Sequence, residues 1–376
     1  MAEISRFTDV ETKAMRRAID LARRAVGQTF PNPTVGCVII DREGREIGSG
    51  FHSRAGEPHA EVEALNSIRN GNAEGATVFV TLEPCCHRGK TPPCTEALIK
   101  AKVAEVVIAD KDPNPLVNGK GIRALRRAGI AVRTGLLKKV AADLNEGYFT
   151  YHLHNRPFIT IKWAITLDGR TAADSGSSKW ISNDSSRYYV HQLRSRSNAV
   201  MVGIGTVLTD NPWLNVRLPN YEGQQPSRVI LDGHLKSPLR CNCLNLEQGG
   251  QPYIITTSLG MNESRVKKLN DAGATVLLAK GKRGMLDLAD CFKKLHGAGI
   301  QSVLVEGGQQ LQTAMFEEGL VDKVVAFIAP KIIGGGTRSN PIEGWGIQEM
   351  GRAIQLRDVK IELFDDDVCI EGYIKH

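Results

Sequence analysis

The sequence contains no apolar run approaching the ~18 residues a membrane-spanning helix requires, so a helical membrane protein is not expected. Its first residues, Met1-Ala2-Glu3-Ile4-Ser5-Arg6, lack the apolar segment of a secretion signal, which points to the cytoplasm. There is no low-complexity tail, no internal repeat and no stretch of clustered Lys/Arg with interleaved aromatics. Neither a disordered arm nor a nucleic-acid face is therefore expected. The net charge of +7 is spread along the chain and reads as solvated surface plus a few cations for a phosphorylated small molecule. At roughly 150 residues per domain, 376 residues imply two domains. Cys37, Cys85, Cys86, Cys94, Cys241, Cys243, Cys291 and Cys369 are expected to be thiols or metal ligands rather than disulfides in such a compartment.

What is present is alternation of helix and strand patterns in two unlike halves. Thr8 with Glu11 makes a capping-box start, and Val10, Ala14, Ile19, Leu21, Ala22 and Val26 follow near one helical face. Strands are expected over 34–41, 47–52, 76–81 and 103–109, the first two as a hairpin, with helices over 59–68, 95–101 and 121–128. That order implies a sheet covered by helices, a three-layer α/β/α domain. Pro157 biases its predecessor away from helical geometry, so a boundary is placed near 148–157, giving domains 1–150 and 151–376. The second half alternates again. Strands are expected at 158–164, 199–202, 229–231, 253–256, 274–278, 302–305 and 324–328. Helices are expected at 185–193, 262–271, 286–295 and 309–317. Two closing strands, 355–362 and 368–374, are joined by an acidic turn at Asp365-Asp366-Asp367.

The chemistry in the first half centres on His59-Ala60-Glu61 at a helix start, Cys85 after a strand, and Cys94 nine residues on. One imidazole and two thiolates suit a zinc ion with a fourth position left for water. An ion so held would lower the pKa of that water from about 15.7 towards about 7. Glu61, two residues past the histidine, is placed to shuttle protons without ligating. Zinc nucleobase deaminases use H-x-E with P-C-x-x-C. Here eight residues separate the cysteines instead of two, so the loop must fold back for the same chemistry to operate. Two bland readings compete: a structural zinc closed by Cys86 or His87, and a metal-free core with chance spacing.

Pro31-Asn32-Pro33-Thr34-Val35-Gly36, His59-Ala60-Glu61-Val62, Thr81-Leu82-Glu83-Pro84-Cys85, Gly89-Lys90-Thr91-Pro92-Pro93-Cys94 and Asp112-Pro113-Asn114-Pro115 together resemble the motifs of the bifunctional riboflavin-biosynthesis deaminase/reductase family. Leu167-Asp168-Gly169-Arg170, Ser178-Lys179-Trp180-Ile181, Gly203-Ile204-Gly205-Thr206-Val207-Leu208, Val305-Glu306-Gly307-Gly308 and Ala329-Pro330-Lys331-Ile332-Ile333-Gly334 extend the resemblance over nearly the whole chain. It implies a cytidine-deaminase-like first domain and a dihydrofolate-reductase-like second one. It implies two reactions: a phosphoribosylamino-diaminopyrimidinone loses its 2-amino group as ammonia, then NADPH reduces the ribosyl part to ribityl. His59, Cys85 and Cys94 would hold one zinc, with Glu61 as proton shuttle. Asn32, His52, Lys90, Asp112 and Asn114 would grip the substrate. Lys90 as a solvated loop residue and Asn114 as an Asx turn are the alternatives. A homo-oligomer is also implied.

In the second half no G-x-G-x-x-G opens a helix with an acid ~20 residues on, so a standard dinucleotide fingerprint is not supported. Gly203-Ile204-Gly205 and Gly307-Gly308, each directly after a strand, are turns where a phosphate could approach the backbone. By resemblance the cofactor would touch Ala164, Trp180, Thr206, Asp210 and a turn of Gly308, Gln309, Gln310, Leu311, Gln312, Thr313 and Ala314. Ser178, Arg194, Leu214, Arg217 and Glu306 would contact substrate, the two arginines as forked phosphate partners. Surface ion pairing remains the alternative for both arginines, and core packing for Trp180. Lys162, on the first strand of this half, is a candidate donor to the sugar oxygen that gains charge as hydride arrives.

Overall fold

The computed structural model describes residues 7–88, 92–335, 340–344 and 346–375. Lys90 falls outside them. Two compact units divide between Asn155 and Arg156, five residues beyond the expected boundary, so the last helix before Pro157 stays whole within the first unit.

In the first unit the elements run α1 (Asp9–Arg23), β1 (Gly36–Ile40), β2 (Glu46–Phe51), α2 (Ala60–Asn66), β3 (Thr77–Leu82), α3 (Cys94–Lys100), β4 (Glu105–Asp110), α4 (Lys120–Arg127), β5 (Ala131–Thr134), α5 (Lys138–Ala142) and α6 (Glu146–His154). The capping box is formed: Thr8 Oγ1 accepts the Glu11 N–H at 3.2 Å, and the Thr8 N–H donates to Glu11 Oε2 at 2.7 Å. Val10, expected on the buried face, sits in the first turn at the flank of the stripe Ala14–Met15–Ala18–Ile19–Ala22 and is exposed; Val26 lies beyond the helix end. The sheet has the order β2-β1-β3-β4-β5, antiparallel across β2, β1 and β3 and parallel from β3 to β5. Near-continuous apolar runs such as Cys37–Ile40 and Val106–Ala109 suit strands covered on both faces. Cys37, Ile39, Val78 and Val80 pack towards α2, α3 and α4, whereas Val38, Ile40, Phe79 and Val107 pack towards α1 and α5. The unit is three-layered, as the alternation implied.

Elements β5, α5 and α6 were not legible. The first two span four and five residues, and Tyr148, Phe149, Tyr151, His152 and His154 crowd α6 without a clean apolar period.

The second unit holds β6 (Phe158–Thr166), α7 (Asp184–Ser195), β7 (Ala199–Gly203), α8 (Ile204–Asp210), β8 (Ser227–Leu231), β9 (Pro252–Thr256), α9 (Glu263–Asp271) and β10 (Thr275–Leu278). A two-residue pair, β11 (Gly281–Lys282) and β12 (Met285–Leu286), precedes α10 (Leu288–Gly297), β13 (Ser302–Val305), α11 (Gln309–Glu317), β14 (Lys323–Ala329), β15 (Leu356–Phe364) and β16 (Asp367–Ile374). Nine strands form one sheet in the order β10-β9-β8-β7-β13-β6-β14-β16-β15, parallel up to β14 and antiparallel for the last two pairings. Met201, Val229, Val303 and Ile159 face α10 and α11. Val200, Val202 and Ile230 face the other side with α8 and α9, as do Leu304 and Phe327 with α7. Gly203-Ile204-Gly205, expected as a turn, is not one: Gly203 ends β7 and caps α8, and Gly205 already lies in the helix. The acidic turn is shorter than expected. Asp367 is buried in β16, where its carboxylate accepts the Asn183 N–H at 2.8 Å and the Ser186 hydroxyl at 2.6 Å, securing the start of α7.

Candidate active sites

In the first unit the site lies at the carboxyl ends of the parallel strands, where open α/β sheets bind ligands. Cys85 follows β3, Cys94 opens α3 and His59 caps α2. Gly48 and Gly50 set the height of α2: a Cβ at Gly48 would stand 2.4 Å from the Ala64 carbonyl oxygen, and one at Gly50 2.6 Å from the Ala64 nitrogen. Only glycines let the helix rest on β2 this closely. The two cysteines are brought together. The Thr95 N–H donates to the Cys85 carbonyl at 3.2 Å, and the Cys94 N–H to Cys85 Sγ at 3.3 Å.

His59 Nδ1 thereby lies 3.2 Å from Cys94 Sγ and 3.5 Å from Cys85 Sγ, and the three ligand atoms all fall within 4.8 Å of one another. Contact with Cys94, helped by His59 and opposed by burial, pulls the Cys85 thiol down to about 4, and Cys94 is pushed up in exchange. A thiolate is thus ready. The donor set fits zinc, with three protein ligands as in catalytic rather than closed sites. Cys86 does not join it: its Sγ turns to the Leu116 carbonyl, 3.9 Å away. Among the described residues no fourth protein ligand joins this group, His87 included. Glu61, in the first turn of α2, is 3 % exposed. Burial, reinforced by the charge on Cys85, pushes its carboxyl up to about 7.

Four of the expected substrate residues, Asn32, His52, Asp112 and Asn114, lie around this group. Asn32 Nδ2 is 3.0 Å from His52 Nε2, and His52 Nδ1 donates to the Pro58 carbonyl at 3.1 Å, which fixes the tautomer. The His52 ring stands edge-on to His59, with centroids 5.0 Å apart. Asp112, just beyond β4, accepts the Asn114 N–H at 2.8 Å, and burial raises its carboxyl to about 6. Asn114 makes the anticipated Asx turn, accepting the Leu116 N–H at 3.0 Å.

One contributor went unread. Glu83 is buried and accepts backbone N–H groups of Gly119 at 2.9 Å, Ile122 at 3.1 Å and Asp112 at 3.4 Å. Its position directly before Pro84-Cys85 was the only signal available.

In the second unit Ala164 lies on β6, Thr206 follows β7 and Gly308 follows β13. These three strands are neighbours, so the expected cofactor residues share one end of the sheet. A Cβ on Gly308 would meet Thr206 Oγ1 at 3.7 Å, so the two strand–helix junctions adjoin. Residues 308–314 are not a turn throughout. From Gln309 they form α11, where Leu311 and Ala314 pack on the core and Gln312 donates to the Gly307 carbonyl at 2.8 Å. Asp210 ends α8 and is exposed, as is Ser178. Trp180 is 65 % exposed, which removes core packing as its explanation; the Arg187 guanidinium lies 4.4 Å over its ring.

Arg194 and Glu306 are paired with each other, at 2.6 and 2.9 Å, and Arg194 Nη1 also donates to the Asn215 carbonyl at 2.9 Å. Neither is a surface ion pair. Burial pushes Glu306 up, but Arg194, with Lys162 behind it, wins and holds it at about 2. Lys162 is held below its ordinary value by burial and lies 5.8 Å over the Phe327 ring. Arg217 is exposed; it donates to the Asn215 amide oxygen at 2.6 Å, and its own N–H meets His191 Nδ1 at 3.2 Å. Leu214 is buried, with a left-handed φ of 56°.

Residues 157–370 match the family described as RibD C-terminal domain, and residues 8–110 that described as cytidine and deoxycytidylate deaminase zinc-binding region. The riboflavin biosynthesis protein RibD of Aquifex aeolicus is 43% identical over 96% of this chain and 98% of its own. Its Escherichia coli counterpart is 39% identical over 95% and 97%. Among solved structures, Acinetobacter baumannii RibD superposes with a TM-score of 0.88 at 38% identity, covering 98% of this chain and 99% of that one. The diaminohydroxyphosphoribosylaminopyrimidine deaminase/5-amino-6-(5-phosphoribosylamino)uracil reductase of Thermotoga maritima gives 0.83 at 35% identity, covering 97% and 99%.

Proposed function

This chain belongs to the RibD family, and from that premise we propose which of its residues carry the two reactions. It is a bifunctional enzyme of riboflavin biosynthesis, a zinc-dependent deaminase and an NADPH-dependent reductase acting on small pyrimidine substrates. The deaminase reaction is assigned to the unit ending near 150–155 and the reductase reaction to the remainder. The observation that carries the first assignment is the His59–Cys85–Cys94 group with Glu61 against it.

Bound at those three residues, zinc supplies a Lewis acid that activates water at neutral pH. Glu61 takes a proton from the attacking water and returns one to the departing amine. Asn32, His52, Asp112 and Asn114 orient the diaminopyrimidinone and its ribose, and Lys90 meets the phosphate. In the second unit NADPH supplies hydride. Ala164, Trp180, Thr206, Asp210 and the amino end of α11 from Gly308 hold it, the free N–H groups there favouring phosphate. Lys162 donates to the sugar oxygen as negative charge develops on it. Ser178, Leu214 and Arg217 contact the substrate, while Arg194 and Glu306 act there as a fixed pair. No helix among the described residues is long and apolar enough to cross a membrane. A cytoplasmic homo-oligomer completes the proposal, and light scattering tests its last element.

Zinc analysis with joined ammonia-release and NADPH-oxidation assays on the full chain tests the whole reading. Ammonia released from cytidine compounds and not from the diaminopyrimidinone phosphate would overturn it. For Arg217→Ala, the KM of the reductase substrate is expected to rise roughly tenfold or more, the loss of one charge-assisted phosphate contact. The KM for NADPH should hardly change. Equal effects on both would remove Arg217 from the substrate phosphate.

A further inference from the structure

Helix α6 places two side chains on the loops proposed to hold the deaminase substrate. Asn145, its N-cap, accepts the Thr34 N–H at 2.7 Å and donates to the Thr34 carbonyl at 2.8 Å, a two-point grip between buried partners. Thr34 closes the Pro31-Asn32-Pro33-Thr34 segment, whose Asn32 reaches His52. Three residues along the same helix, the buried Tyr148 hydroxyl donates to Asp112 Oδ1 at 3.0 Å and lies 3.3 Å from Oδ2.

A buried tyrosine hydroxyl needs a partner somewhere. Here that partner is a carboxylate already committed to the Asn114 N–H. Two long-range contacts from one helical turn thus reach the two loops, which are separated in the sequence by β1 through β4.

We propose that α6 is a brace for the deaminase site, with Asn145 and Tyr148 as positioning residues that set the Asn32 loop against the Asp112–Asn114 loop. The inference rests on the substrate role proposed above for Asp112. Tyr148 itself touches no reacting atom. Its hydroxyl fixes which way the Asp112 carboxylate faces, leaving the outward lone pairs to the substrate. An effect on substrate affinity rather than on turnover follows, since Glu61 and the three zinc ligands are untouched.

The test compares Tyr148→Phe, Asp112→Asn and the double variant in the full-length, zinc-loaded chain. Phenylalanine keeps the ring, including its edge contact with His152 at 4.5 Å, and removes only the hydroxyl. For Tyr148→Phe the deaminase KM is expected to rise roughly fivefold to tenfold, the scale of one hydrogen bond to a charged group. Its kcat should stay within about twofold, with zinc content and reductase kinetics unchanged. Asp112→Asn should raise KM at least as much, and the double variant should be no worse than Asp112→Asn alone. A normal KM in Tyr148→Phe beside a raised one in Asp112→Asn overturns the brace and spares the substrate reading. Fully additive effects, or loss of zinc and kcat in Tyr148→Phe, overturn it as well. A normal KM in Asp112→Asn removes the substrate reading, and the brace with it.

Discussion

The Glu61→Gln chain is expected to carry one zinc and to release ammonia at no more than about a hundredth of the parent rate, the low end of what a positioned proton carrier contributes. Glutamine keeps the size of the side chain and its place in the first turn of α2 but cannot accept the proton. Folding should not suffer. Glu61 is buried, and burial opposes its charge, so the neutral amide removes a desolvation cost. The melting temperature should hold or rise. Zinc content, reductase rate and melting temperature together separate loss of chemistry from loss of structure. Normal turnover by this variant would take Glu61 out of the reaction and return the zinc to a structural role.

Glu306→Gln should be the most damaging single change in the second unit. Arg194 would remain buried with its principal partner gone, and breaking such a pair costs about 3–5 kcal/mol. For a unit of this size that corresponds to a fall of roughly 10 °C in melting temperature. Replacing both partners with apolar residues of similar volume should recover much of the stability but none of the reductase activity. The pH dependence has a definite sign. Burial alone would raise the Glu306 pKa, yet Arg194 and Lys162 depress it to about 2 from the ordinary 4.5. The stabilisation is therefore complete above pH 4.5 and is lost as pH falls from 4.5 towards 2. Thermal melts should show the gap between parent and Glu306→Gln closing over that window. A constant gap would mean that the carboxylate is not charged against Arg194.

The zinc group was legible because its chemistry restricts residue type. Few arrangements other than a metal site place one histidine, two cysteines and a following glutamate so. The strands were legible because covered parallel strands need apolar runs, and Cys37–Ile40, Val106–Ala109 and Ala199–Val202 are such runs. What escaped was held by contacts far apart in sequence. Nothing local marks Glu83 as the acceptor for Gly119 and Ile122, or Tyr148 as the partner of Asp112. The roles of Arg194 and Glu306 were drawn from motif position, which placed both near substrate but could not reveal that they satisfy each other. Val10 failed differently: it follows the helical period, but period alone does not say where the covering layer stops.

The place of β13 between β6 and β7 bears on how the protein is made. Once the ribosome has released Asn155, every strand of the first sheet is available to pair. The second sheet is completed later: β7 to β10 can pair as they emerge, but β6 and β7 have no edge in common until Ser302–Val305 fills the gap. Their open edges stay exposed throughout that interval, when nascent chains are most vulnerable to aggregation. A message truncated before codon 302 should therefore yield a chain that lacks the strand joining β6 to β7 and shows no NADPH-dependent reduction.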